Sequence, residues 1–504
     1  MAFLAPENLT GDPAFDWASA AAAPLAASLL RGAPSVSGVA AADANDALRR
    51  QATRIVRTYF ARDGQGWAVR GSVEDAAHPR TVAAIDASIA GPEAAAAAMA
   101  RAVWPAAAAP GWKPDAVRAF GEALAAGAGS PAEALRRAVA LEPSFEEAWL
   151  RLGRLEQSRA GREAALAAIE GAPKTPQLRL FAAGLSQDPA ARIAALKDAA
   201  AASPGDWEAQ AQLAGALTRD RKFAEAAAAF DKALQANSDS GALRNEAAFA
   251  YELAGRHDLA VKTALDYAKL SPDSANPLDT LGEIQSMAGK FAEAEKAFLE
   301  AHAKQPGFLG GAALWKAAAV RRMSGDGKGA DALFDRYEAA IAGNPAAPML
   351  RAQWDYSSGR RDEAEKKVRE MDKPGAKAQL AIWSLNRGDR EAAARYAAEA
   401  GETSLARGLV TGGAPNPFVR ACHHLFARRF AEAIPLLEQA DAANRPDQSS
   451  PLPVLLAWAY AETGRLEEAR QRLRHWPIPA SAGDAALECL TFPRVLELRK
   501  RLGM

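Results

Sequence analysis

The feature that most constrains the fold of this 504-residue chain is a stretch that repeats itself every 34 residues. Two series of residues follow that period: Leu213, Ala247 and Leu281, and Ala226, Ala260 and Ala294. Each period contains two helical patterns of apolar residues joined by a turn, and neither helix can bury its apolar stripe alone. Neighbouring units must therefore stack, which predicts an array of helix pairs.

Small and large side chains alternate within the three clearest units. Ala248 and Gly282 allow two helix backbones to approach closely, whereas Tyr251 and Phe298 fill the space beside them. Such alternation is typical of dense packing. We therefore expect the series of Ala226, Ala260 and Ala294 to lie buried at helix–helix contacts.

These units resemble the tetratricopeptide repeat family, which has a 34-residue period. The likeness is clearest from Asp206 to Gly307, and it continues in "FARRFAEAIPLLEQA" and "AYAETGRLEEARQRL". It implies a mainly α fold, an α-solenoid in which helix pairs wind into a right-handed superhelix. We expect about ten units over residues 115–476, followed by a capping segment at 477–504 whose basic end faces solvent.

The first 105 residues have a different pattern. Two β-rich runs, "RIVRTYFAR" and "GWAVRGSVED", flank the glycine turn "DGQG", and a third run follows His78-Pro79. Helical patterns precede and follow these runs. The sequence thus predicts a small α/β domain with one sheet over residues 1–105, joined to the repeats by a Pro/Gly/Ala-rich linker at 106–114.

The segments "AFLAPENLTGDPAFDW" and "VRGSVED" resemble the TolB amino-terminal domain family. The matching positions of the first segment are Glu7, Asn8, Leu9, Gly11, Asp12, Pro13 and Asp16. Ala5-Pro6 stands where that family has Pro-Phe, so an aromatic core contact is missing. The resemblance implies a regulatory or binding role and no known chemistry.

No catalytic or metal-binding motif is recognisable. Lys+Arg and Asp+Glu both number 61, so no net field attracts nucleic acid or an anionic membrane. The adjacent His423 and His424 would point about 100° apart on a helix and could not both face one metal. We expect no enzymatic activity, no cofactor, no nucleic-acid partner and no membrane insertion, with Cys422 and Cys489 buried and reduced. The oligomeric state stays open.

The first basic residue is Arg31, so the positive start of a signal peptide is missing. This predicts a cytoplasmic location. A periplasmic or exported location is the alternative if a leader or anchor was removed.

We expect a non-enzymatic scaffold that binds a protein or peptide on the concave face formed by the first helices of the units. The alternative is a regulatory or sensor segment of a larger bacterial signalling protein of the kinase, cyclase or transcription-regulator type. The family register places these residues on that face: Asn245, Phe249, Glu252, Asp279, Glu283, Met349, Tyr356, Ile382, Phe418, Val454 and Trp458.

The later members of this set are apolar and would suit an amphipathic helix, with Phe418 and Trp458 as anchors. The other interpretation, equally open, is that a tighter superhelix or a one-residue slip buries them as ordinary core.

Overall fold

The computed structural model describes residues 1–504 except 32, 34–35, 51, 77, 79, 109–110, 126–128, 372, 402–404, 415, 443–445, 447–449, 475, 477–493 and 496. It confirms the predicted fold class, a mainly helical array of helix pairs preceded by an α/β region with one mixed sheet. The chain forms two compact units. Unit 1 comprises residues 1–217 and 228–243, and unit 2 comprises 218–227 and 244–504.

The sheet of unit 1 has a parallel part and an antiparallel part. Its strands are β1 (Ala2–Leu4), β2 (Glu7–Asn8), β3 (Val39–Ala41), β4 (Arg54–Asp63), β5 (Gly66–Asp75) and β6 (Thr81–Ile89). The strand order is β3-β1-β4-β5-β6, with β2 also paired to β4. β1 runs parallel to β3 and β4, whereas β4, β5 and β6 form the antiparallel meander that the "DGQG" turn predicts.

Three helices accompany the sheet: α1 (Asp16–Leu29), α2 (Ala44–Arg49) and α3 (Ala95–Val103). Alternate residues of β1 belong to different apolar clusters, as strand geometry requires. Phe3 belongs to the large core that includes residues of α1 and α3. Ala2 and Leu4 join a smaller cluster with Ala47 of α2.

The predicted linker at 106–114 connects two parts that share one core. Trp17 of α1 lies in the same apolar cluster as Phe120 and Phe145 of the first repeats. Gly121 allows this contact, because a Cβ there would lie 2.2 Å from the carbonyl oxygen of Trp17. The α/β region therefore packs directly against the start of the array, which its sequence did not indicate.

Eleven helix pairs follow in the described part of the chain. Their first helices are α4 (Pro114–Leu124), α6 (Glu146–Ala160), α8 (Pro176–Gly184), α10 (Trp207–Arg219), α12 (Gly241–Leu253), α14 (Asn276–Met287), α16 (Ala312–Met323), α18 (Ala347–Ser357), α20 (Pro374–Arg387), α23 (Pro417–Phe426) and α25 (Leu452–Glu462). Their second helices are α5 (Pro131–Leu141), α7 (Arg162–Ala168), α9 (Pro189–Ala202), α11 (Phe223–Ala236), α13 (His257–Leu270), α15 (Phe291–Lys304), α17 (Gly327–Ala340), α19 (Arg361–Glu370), α21 (Arg390–Ala400), α24 (Phe430–Ala442) and α26 (Leu466–Leu473). One additional helix, α22 (Leu405–Thr411), precedes α23.

The alanines of the 34-residue series are fully buried, as the period predicts: Ala226, Ala260 and Ala294. The turns inside the pairs use left-handed backbone, with φ of 76° at Gly255 and 75° at Gly289. Arg221 occupies the equivalent turn with φ of 58°, an uncommon conformation for a residue with a side chain.

We expect Gly282→Ala to lower the free energy of unfolding by about 1–3 kcal/mol. A Cβ at this position would lie 2.5 Å from the ring of Phe298, which is fully buried and has little room to move. Gly215→Ala is the matched control, because a Cβ there meets nothing within 4 Å and alanine favours the helix by about 0.5–1 kcal/mol. Urea melts that show equal changes in both variants would contradict the close packing at Gly282.

Candidate partner-binding site

The polar residues predicted for the first-helix face form a buried network in unit 2. The Thr280 hydroxyl donates a hydrogen bond to Asn245 Oδ1 at 2.6 Å. Lys316 of α16 donates to Asp279 Oδ2 at 2.7 Å and to Glu283 Oε1 at 2.6 Å. Asn245, Asp279 and Glu283 thus belong to polar contacts that join neighbouring first helices.

Lys316 holds the two carboxyl groups of this network together, and the sequence pattern did not single it out. Its side chain is only 1% exposed. One sequence feature does indicate that Lys316 is buried: it is the single charged residue within the apolar run "AALWKAAAV". A lysine in such a run is almost never fully buried unless it is paired.

The charges of the network are unbalanced, with two carboxyl groups for one ammonium. Burial alone would lower the pKa of Lys316, but Glu283 and Asp279 outweigh burial and raise the pKa to about 12, so the ammonium stays protonated. Burial raises the pKa of Glu283, and the charge of Asp279 adds to this effect, while Lys316 opposes it. The cluster therefore favours additional positive charge nearby.

The same face of α14 retains hydrogen-bonding capacity. Asp279, Glu283 and Ser286 are spaced i, i+4 and i+7, so they share one side of the helix. Asp279 Oδ1 and the Ser286 hydroxyl are buried without a hydrogen-bond partner among the described residues. A buried acceptor or donor in this state gains free energy when a ligand satisfies it.

Two further predicted residues of α12 are buried. Phe249 is 8% exposed, and Glu252 contacts His257 Nδ1 at 2.7 Å. Both side chains therefore contribute to the interior beside α12, and their part in partner binding stays a prediction.

The apolar residues predicted for the later repeats are mostly covered. Tyr356, Ile382, Val454 and Trp458 are buried. Met349 and Phe418 are half-buried against the same core. The Tyr356 ring stacks on Trp383 with centroids 4.1 Å apart. An open apolar face is thus not formed by these side chains, which is the second of the two interpretations that the sequence allowed.

Trp458 is covered partly by the end of the chain itself. We call residues 494, 495 and 497–504 the C-terminal segment; it is helical at 494–495 and over 497–502. Arg494 lies with its guanidinium carbon 4.0 Å from the Trp458 ring centroid, and it donates a hydrogen bond to Asn386 Oδ1 at 3.3 Å. Three apolar side chains of the segment are almost completely buried: Val495, Leu498 and Leu502.

The segment also contacts earlier repeats. Arg499 lies over the ring of Phe291 at 5.6 Å, beside the turn that joins α14 to α15. Arg501 pairs with Glu462 at 3.1 Å, and Arg470 Nε donates to the Leu502 carbonyl at 3.0 Å. The sequence predicted a cap with a solvent-facing basic end. Lys500 and Arg501 are exposed, but Arg499 is half-buried because it rests on Phe291.

The described residues can be compared with the requirements of a metal site and of a reactive cysteine. Among them, no group of three or more His, Cys, Asp or Glu side chains is placed to hold a metal ion. Cys422 is buried, and burial raises the pKa of its thiol to about 12, so the reactive thiolate is scarce. Cys489 lies outside the described residues. None of the described helices is both long and apolar enough to cross a bilayer.

A family model matches the end of the array. Residues 425–486, which include helices α24, α25 and α26, match the tetratricopeptide repeat family. No curated protein matches the chain.

Several solved structures are similar to part of the chain. A crystal structure of MamA is 20% identical, with a TM-score of 0.28 over 31% of this chain and 95% of that one. Residues 41 to the end of MamA from Desulfovibrio magneticus RS-1 are 16% identical, with a TM-score of 0.30 over 34% and 98%. YrrB, described as a TPR protein with an unusual peptide-binding site, is 16% identical, with a TM-score of 0.29 over 43% and 96%.

Proposed function

We propose that this chain is a non-enzymatic scaffold that binds a helical segment of a protein partner on the first-helix face of unit 2. Tetratricopeptide arrays generally serve as protein–protein interaction scaffolds. One observation carries the proposal: the C-terminal segment lies as a short helix against the first helices α20 and α25, through Asn386 and Trp458, with Leu498 and Leu502 buried. A face that accommodates one amphipathic helix has the shape and chemistry to accept another.

The polar cluster on α14 indicates the charge of the partner. Asp279 and Glu283 share one lysine, so a basic side chain from a partner would improve the charge balance. Glu283, whose side chain is 17% exposed, is the carboxyl group that such a side chain would reach. We therefore propose a partner whose binding helix is basic on one side and apolar on the other.

The test is a photo-crosslinking amino acid placed at Asn386 and expressed in the native host. Asn386 is half-buried and already contacts Arg494, so a partner helix on this face would pass within reach. The matched control is the same amino acid at Glu300, an exposed position on the second helix α15. We expect a discrete protein adduct at position 386 and none at position 300.

Adding Glu283→Gln should reduce the yield of that adduct several-fold. The substitution preserves the shape of the side chain but removes a negative charge that attracts the basic side of the partner helix. Equal adducts at positions 386 and 300, or none at 386, would reject binding on this face.

The alternative function is a regulatory or sensor segment of a larger bacterial signalling protein, with residues 1–105 as a TolB-like domain. The observation behind this alternative is the common core of Trp17 and Phe120, which joins the α/β region to the first repeats within unit 1. The 5′ sequence of the transcript tests it. A kinase, cyclase or DNA-binding module in frame before Met1 would support the alternative, and an in-frame stop codon there would reject it.

A further inference from the structure

The C-terminal segment contacts more than the last unit of the array. A capping element covers the last unit of an array, because each repeat contacts only its neighbours. This segment does contact the last pair, through Glu462 and Arg470. It also contacts Asn386 at the end of α20 and Phe291 at the start of α15. It therefore contacts repeats that are far apart along the chain.

The face recognises two features of the segment. Its arginines lie over aromatic rings, Arg494 over Trp458 and Arg499 over Phe291, an arrangement favoured by the attraction of a cation to a ring face. Its apolar residues Val495, Leu498 and Leu502 are spaced i, i+3 and i+7, so they form one stripe of a helix. The contacts thus describe a short amphipathic helix with arginine at its edges.

The fit of the segment is incomplete. The Trp458 indole nitrogen, Nε1, is buried without a hydrogen-bond partner among the described residues. Arg494 of the segment covers the ring, but the segment's described residues supply no acceptor to Nε1. An unsatisfied buried donor weakens the bound state. The segment is also short, and a helix of this length is not stable in isolation. A partner helix that offers an acceptor to Trp458 would therefore bind more tightly than the segment does.

We propose that the C-terminal segment is a displaceable intramolecular ligand that closes the partner site until a partner helix of the same chemistry replaces it. The proposal rests on the function proposed above and adds to it the occupant and the partner class. That class is a short helix with an apolar i, i+3, i+7 stripe and flanking arginines. Because the segment belongs to the same chain, its effective concentration is on the order of millimolar, so it excludes weak ligands.

The experiment uses full-length protein and a fluorescent synthetic peptide of residues 494–504. Leu498→Asp in the protein places a charge at a buried position and should release the segment. Lys500→Ala, at an exposed position of the same helix, is the matched control. Fluorescence anisotropy should show that the wild-type peptide binds the Leu498→Asp protein at least tenfold more tightly than the wild-type or Lys500→Ala protein. Hydrogen exchange of amides 498–502 should increase in Leu498→Asp alone.

The peptide itself can be varied to test the contacts. Arg494→Ala in the peptide should weaken binding to the opened protein several-fold, because the contacts with Trp458 and Asn386 are lost. Lys500→Ala in the peptide should leave the affinity unchanged. If Leu498→Asp prevents folding, Arg494→Ala in the protein replaces it as a milder variant, with the same expected direction in exchange and binding.

Two results would overturn the proposal. One is a folded variant whose segment exchanges freely but which does not bind the peptide. The other is a wild-type protein that binds the peptide as tightly as the opened variant. Peptide binding without any partner adduct at position 386 would instead reject the proposed function and leave the intramolecular ligand standing.

Discussion

Replacing Lys316 with methionine is expected to lower the free energy of unfolding by about 3–5 kcal/mol, the usual cost of removing one partner from a buried ion pair. Lys316 is 1% exposed and is shared by Asp279 and Glu283. Methionine preserves the unbranched stem and fills most of the space. It removes the ammonium and leaves two carboxyl groups close together away from water.

The loss in the free energy of unfolding caused by Lys316→Met should depend on pH. Without Lys316, burial and the charge of Asp279 act unopposed to raise the pKa of Glu283 in the folded state. A carboxyl group with a raised folded-state pKa binds a proton on folding. Its contribution to stability is therefore favourable below its unfolded pKa, about 4.3, and is lost as the pH rises through the folded-state value. Urea melts should therefore show that the variant loses less free energy of unfolding, relative to wild type, at pH 5 than at pH 8.

Lys296→Met is the matched control, because Lys296 is largely exposed on α15. Its effect should remain within about 0.5 kcal/mol, as for most surface substitutions. Adding Asp279→Asn to Lys316→Met should recover part of the loss, since one of the two uncompensated charges is removed. If Lys316→Met behaved like Lys296→Met, water would have to reach the cluster and the buried network would not exist.

Lys316 illustrates what the sequence of a repeat protein conceals. The 34-residue period is a local property, so it predicted the helix pairs and the burial of Ala226, Ala260 and Ala294. The contact from Lys316 to Asp279 joins two neighbouring repeats, and its residues do not recur in the other units. Periodicity therefore placed Asp279 on the correct helix but gave no sign of its partner.

The burial of Trp458 could not be predicted from the sequence for a related reason. The repeat register placed Trp458 on a first helix, where it lies. Its burial depends in part on Arg494, which belongs to a segment outside the repeats. A contact made by a non-repeating segment leaves no trace in the repeat pattern, so the sequence could not decide between an open face and a covered one.

The start of the array shows the same limitation on a larger scale. Residues 106–114 have the composition of a linker, and composition alone suggests two separable parts. In the structure α1 packs on α4, through the close approach of Gly121 to Trp17. Whether the two parts can be separated stays a prediction. This contact leads to the second large expected effect.

Gly121→Ala is expected to destabilise unit 1 by about 3 kcal/mol, at the upper end of the usual range for overpacked sites. The added Cβ would lie 2.2 Å from the carbonyl oxygen of Trp17 and 2.9 Å from its carbonyl carbon. These are backbone atoms of α1, so no rotamer change can relieve the overlap and the two helices must move apart. Gly282→Ala meets a side chain instead, which is why we expect its cost to be lower.

The separation would open the core shared by the α/β region and the first repeats. Hydrogen exchange should therefore increase in α1 and α4 together, while α14 to α16 in unit 2 keep their protection. Gly215→Ala serves as the control within unit 1, since the interior of α10 accepts a methyl group there without contact. For the same reason, we expect a fragment of residues 113–504 to lose the fold of α4 and α5, whose buried face includes Phe120. A Gly121→Ala protein that melts like wild type, or a fragment that keeps these helices protected, would show that the α/β region and the array fold independently and that the packing of α1 on α4 adds little to stability.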